Sequence, residues 1–169
     1  MANRIVAGLV ADACGSVALN VAGYVDMLVR GRPASRLPAD VAGKLADEIG
    51  LPLDFDIELA GSDDEQDDEV NAESRLASRQ EALGALLGYA NGLGIGAAYG
   101  LTRLVLPRPP AWLAGTALGS LAMAASDYPA AKLGLTDPQT WSRDDWMADV
   151  LPHMAFGVVA AVAFEAIKK

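Results

Sequence analysis

Three ionisable residues stand in or beside stretches that are otherwise almost free of charge: Asp26, Asp127 and His153. Two carboxylates and an imidazole could hold a proton or a cation. They also offer two oxygens and one nitrogen, a donor set that suits a divalent metal, although no ligand spacing marks a metal site. The same groups could equally close a polar network or cap helix ends. Hydrolysis finds no support, since the chain has one histidine and neither a Gly-x-Ser-x-Gly nor a His-Glu-x-x-His sequence. No catalytic residue, metal or cofactor is therefore assigned. A second polar set recurs at every fourth position, Gly8, Asp12, Ser16, Asn20 and Tyr24, and so forms one face of a single helix. A carboxylate in such a place is costly in a membrane and normally faces the helix bundle. Arg103 could reach Asp12 by snorkelling.

The elements that must position these residues follow from the segregation of charge. Of the 22 acids, 14 lie in residues 30–81. Residues 5–29, 82–106, 111–129 and 150–167 are almost uncharged, and each has about the 17–25 residues that cross a bilayer as a helix. The first reads as a retained span. Its apolar run far exceeds the roughly 7–15 residues of a signal peptide, and it carries Asp12 and Asp26. Trp112 opens the third span, and Trp141 and Trp146 precede the fourth, positions that suit the membrane interface. "SRDD" (142–145) reads as a capping box, with Ser142 at the N-cap and Asp145 at N3. Pro129 should end or kink the third helix, and Pro152 falls in the first turn of the fourth. In this arrangement Asp26, Asp127 and His153 share one depth.

"GALLGYANGLGIGAAYG" (84–100) places Gly84, Gly88, Gly92, Gly96 and Gly100 on one face. Each would cost about 1 kcal/mol in a water-exposed helix. In lipid, small residues let helix backbones approach closely, so this stripe predicts a central helix against which others lie. Gly115 and Gly119 repeat the pattern in the third span.

Residues 30–81 form the extramembrane loop. Arg30, Arg32 and Arg36 are placed to meet anionic lipid head groups. A short amphipathic helix is predicted over 38–49, with Val41, Leu45 and Ile49 on its apolar side. Residues 54–70 hold nine acids and no base, so 54–72 reads as a flexible acidic segment. Nucleic acid is excluded as a partner by the lack of a basic patch with interleaved aromatics. The single cysteine, Cys14, excludes an internal disulfide.

The stretches "ALNVAGYVDMLVRGRPASRLP", "GALLGYANGLGIGAAYGL" and "ASDYPAAKLGLTDPQTWSRDDWMADVLPHMAFG" resemble small uncharacterised multi-pass membrane proteins of actinobacteria. More distantly they are similar to the YagU-type inner membrane proteins. The resemblance implies a multi-pass inner (cell) membrane protein and no activity for particular residues. The acidic segment departs from the YagU pattern. The expectation is thus one all-α membrane domain over 1–169, a bundle of four transmembrane helices packed through Gly and Ala faces. Its partners would be the lipid bilayer and a second copy or another membrane protein. A structural or accessory, non-enzymatic role leads. The alternatives are proton or ion conduction along the polar face of the first span, and a membrane enzyme with a metal at Asp26, Asp127 and His153.

Overall fold

Proline and glycine punctuate a chain of helices. The computed structural model describes residues 2–55 and 68–168. It contains α1 (Ala2–Arg30), α2 (Leu37–Glu48), α3 (Asp68–Val105), α4 (Ala111–Lys132), a 3-10 turn (Pro138–Thr140) and α5 (Arg143–Ile167), with no strand among the described residues. Gly50 (φ 68°) and Gly134 (φ 72°) close α2 and α4 in the left-handed conformation. The amides of Leu51 and Leu135 then reach back to the carbonyls of Ala46 (2.8 Å) and Ala130 (3.0 Å), which satisfies helix ends that would otherwise be open.

Among the described residues two helices, over Asn3–Arg30 and Arg143–Ile167, are long and apolar enough to cross a membrane. Four were expected. The glycines, Asn91 and tyrosines of α3, and the glycines, Thr116, Ser120, Ser126 and Asp127 of α4, dilute their hydropathy. Helix bounds also differ from expectation. α3 begins at Asp68, so residues 68–72 of the predicted flexible segment are helical, while 56–67 lie outside the described residues. The run "AESRLASRQEAL" (72–83) is made almost wholly of good helix formers, and their propensity outweighs the charge. α4 continues through Pro129 to Lys132. α5 begins at Arg143, so Pro152 and His153 lie well inside it rather than in its first turn.

The capping box is present. The Asp145 amide donates to Ser142 Oγ at 3.2 Å, and the Ser142 amide donates to Asp145 Oδ2 at 2.9 Å. Trp141 Nε1 donates to Thr136 Oγ1 at 2.8 Å, and its ring meets Trp146 edge-on at 5.0 Å. Ser142→Ala is expected to lower stability by about 1 kcal/mol. Chemical unfolding in detergent measures it, and an unchanged midpoint would show that the tryptophan pair alone holds this start.

The chain forms two compact units, residues 1–34 with 89–169, and residues 35–88. In the smaller unit α2 packs on the first half of α3 through Ala39, Ala42, Gly43 and Ala46. A Cβ at Gly84 would meet the Pro38 carbonyl at 2.6 Å, and one at Gly43 would meet Gln80 Nε2 at 2.7 Å. Val41 and Leu45 are only half-buried and Ile49 is exposed. The predicted apolar side is thus not the packed one, because this close approach admits only small side chains. Arg79 stacks 4.0 Å over the Phe55 ring and donates to the Leu53 carbonyl at 2.8 Å.

In the larger unit α5 packs along both α1 and α4. Its buried stripe is Pro152, Phe156, Gly157, Ala160, Ala161 and Phe164. Two crossings are made by glycine. Between α1 and α3, a Cβ on Gly8 would meet Gly100 N at 3.2 Å, and one on Gly100 would meet Ile5 Cα at 3.1 Å. Between α4 and α5, a Cβ on Gly119 would meet the His153 carbonyl oxygen at 2.6 Å, and one on Gly157 would meet Gly119 Cα at 2.9 Å. A Cβ on Gly115 would meet Val158 Cα at 2.9 Å. Gly88 departs from its stripe: it is exposed, and a Cβ there would meet nothing.

Candidate functional site

The polar residues of the larger unit fall into four groups, and the expected trio is divided between two of them. On α4 and α5, Asp127 and His153 meet through a third residue, Asp149. His153 and Asp149 are one turn apart on α5. His153 Nδ1 lies 2.8 Å from the Asp149 carbonyl oxygen and 3.2 Å from its Oδ1. Both partners are acceptors, so Nδ1 carries the proton. Asp127 is buried, accepts from Ser126 Oγ at 3.3 Å, and stands within hydrogen-bond reach of the Asp149 carboxyl. Two carboxyls so placed can share one proton.

Asp26 does not join them. It receives two bonds from Arg30, at 2.6 and 2.7 Å, and a further one from Arg32 Nε. Arg30 also donates to the Asp144 carbonyl oxygen at 3.1 Å, which ties the end of α1 to the start of α5. Arg30 and Arg32, expected at lipid head groups, are thus partly buried and committed to Asp26. Arg36 is exposed at the N-cap of α2. The i to i+4 spacing of Asp26 and Arg30 explains the pairing: the carboxylate takes the nearest guanidinium instead of waiting for another helix.

The third group is the polar face of α1. Asp12 is buried at 1% exposure, with Ser16 one turn further along its own helix, and Oδ1 has no hydrogen-bond partner among the described residues. Asn20 donates to Tyr89 Oη at 3.5 Å, and Tyr24 is exposed. Arg103 does not reach Asp12. It donates to Glu165 Oε1 at 3.1 Å and to the Pro107 carbonyl oxygen at 2.6 Å. Arg108 binds the other Glu165 oxygen, completing the fourth group, and Tyr99 stacks edge-on to Phe164 at 4.9 Å beneath it. An open pocket of about 540 Å³ lies beside this group, lined by Arg108, Pro109, Pro110, Ala111, Val162 and Glu165 among others.

Among the described residues no group of three or more His, Cys, Asp or Glu side chains is placed to hold a metal ion. The Asp26–Asp127–His153 metal reading therefore loses its geometry. No family model, curated protein or solved structure matches the chain.

Sequence reasoning missed Asp149 and the Arg108–Glu165 contact. The signal for Asp149 was available in its i to i+4 spacing from His153. It was hidden by counting the last apolar span from 150, which left Asp149 just outside it. Nothing in the spacing of Arg108 and Glu165 could have joined them, since they are far apart in sequence and meet only through packing.

Proposed function

We propose that this chain is a multi-pass integral membrane protein in which α1, the second half of α3, α4 and α5 all cross the bilayer. We further propose that its role is structural or accessory rather than enzymatic. The observation that carries the reading is an inverted distribution of side-chain size. Among the described residues, ten of the fourteen buried hydrophobics are alanine. The large aliphatics point outward: Val17, Val21, Leu28 and Val29 on α1, Leu93 and Leu101 on α3, Leu113 and Leu121 on α4, Val158 and Val162 on α5. A water-soluble bundle buries its large aliphatics. In lipid, outward leucine and valine cost nothing, and close backbone packing is what holds helices together.

This argument extends to α3 and α4, whose hydropathy is lowered by the same small residues that pack them. Trp112, exposed in the first turn of α4, and the Trp141–Trp146 pair at the start of α5 suit interfacial anchoring. The polar groups are directed mainly at one another and tie helix to helix, which favours a supporting role. We extend the proposal to the inner membrane and to assembly with a second copy or another membrane protein.

The test uses Cys14, which is exposed on the outside of α1. In intact membranes it should resist a charged maleimide and react after detergent denaturation, and the protein should stay in the pellet through alkaline carbonate washing. Rapid labelling in sealed membranes together with release by carbonate would refute the proposal.

A further inference from the structure

Among the described residues Asp12 has no counter-charge, and its surroundings are built around it. A Cβ on Gly92 would stand 3.0 Å from Asp12 Oδ2 and 3.1 Å from Oδ1, so the carboxyl occupies the space that this glycine leaves open. A Cβ on Gly96, one turn on, would stand 2.6 Å from Asp12 Cβ. The carboxyl thus lies in a slot on α3 floored by two glycines, at 1% exposure. Its own helix supplies one polar neighbour, the Ser16 hydroxyl, and Oδ1 has no hydrogen-bond partner among the described residues. α3 presents Gly92 and Gly96, and α5 presents Phe156 against the neighbouring Gly15. Among the described residues no charged group faces Asp12 from any of these three helices.

A carboxylate buried without a cation or a set of donors is strongly disfavoured, and such groups neutralise instead. We propose that Asp12 is a proton-binding site, occupied by a proton while α1 and α3 are packed and emptied only when their crossing loosens. The neutral acid fits the glycine slot with Ser16 as its single polar neighbour. The anion would need water or a cation at a place where the backbones of α1 and α3 touch. Proton occupancy and the α1–α3 crossing are therefore linked: whatever opens the crossing releases the proton, and whatever takes the proton opens the crossing. The inference rests on the bilayer reading of these helices for the dryness of the site.

The experiment treats the full-length protein, in native membranes and in detergent, with dicyclohexylcarbodiimide. This apolar reagent adds to a protonated carboxyl. The acid proton goes to one nitrogen and the carboxyl oxygen bonds to the central carbon, and an acyl shift to nitrogen then leaves a stable adduct that peptide mass spectrometry locates. Asp12 should be modified, at a rate that falls about tenfold per pH unit above a midpoint. Gly92→Ala, which presses a methyl group on the carboxyl, should move that midpoint, whereas Gly94→Ala should leave it in place because a Cβ there meets nothing. Asp12→Asn, close to the neutral acid in shape, should fold and lose only the adduct at this position. Failure of Asp12 to react would overturn the proposal, as would a rate independent of pH. Protection by sodium ions at constant pH would overturn it in favour of a cation site. Carbonate release of a protein whose Asp12 still reacts would refute the bilayer reading alone.

Discussion

Gly96→Ala should destabilise the helix bundle, and Gly94→Ala, two residues away on the same helix, should stabilise it. At Gly96 the added methyl would lie 2.6 Å from Asp12 Cβ and 3.1 Å from the Gly8 carbonyl carbon, and backbone cannot move aside as a flexible side chain can. Overpacking of this kind costs about 1–3 kcal/mol. At Gly94 nothing lies within 4 Å of the new methyl, so only the better helix propensity of alanine remains, worth up to about 1 kcal/mol. Thermal unfolding of the two variants in one detergent decides the matter. Equal shifts of the same sign would mean that α1 and α3 do not approach as closely as described.

Glu165→Ala should be among the most damaging single substitutions. The Glu165 carboxylate is the shared partner of Arg103 and Arg108, and Arg103 and Glu165 are both largely buried, with side chains 11% and 15% exposed. Arg108 is mostly exposed and can return to water. Arg103 cannot, since its Nε is already buried without a partner and its Nη1 is held by the Pro107 carbonyl. Removing one member of a buried ion pair costs about 3–5 kcal/mol, because the other charge stays buried. Glu165→Gln keeps the shape and one acceptor and should cost clearly less. Denaturant titration of both variants tests this order, and a loss below about 1 kcal/mol for Glu165→Ala would place the pair in the class of exposed salt bridges.

The helices themselves were legible because apolar runs and punctuation are local. Ser142 and Asp145 announced the start of α5 through side-chain chemistry confined to four residues. Helix ends set by propensity were harder. The charged run before residue 82 suggested loop, yet its alanines, arginines and glutamates carry α3 back to Asp68. Depth was the weakest inference. Asp26, Asp127 and His153 were grouped by counting residues from assumed span ends, and Asp26 instead found Arg30 and Arg32 on its own stretch of chain. The partner that Asp127 did meet, Asp149, lay just outside the assumed span. The hydropathy of α3 and α4 falls below that of a membrane span for a related reason. The residues that permit tight packing are small, and small residues contribute little apolar weight to any window.

The alanine and glycine interior has a consequence for how such a chain can change over generations. In most proteins the outside drifts freely and the inside holds to a hydrophobic type. Here an outward valine or leucine can be exchanged for any other aliphatic, while the positions at the helix crossings, such as Gly96, Gly115, Gly119 and Gly157, are limited by a ceiling on volume that isoleucine or phenylalanine would break. Distant copies of this fold would therefore keep little hydropathy pattern in common. They would share a periodic record of where bulk is forbidden, and a search keyed to side-chain size would find them where one keyed to hydrophobicity does not.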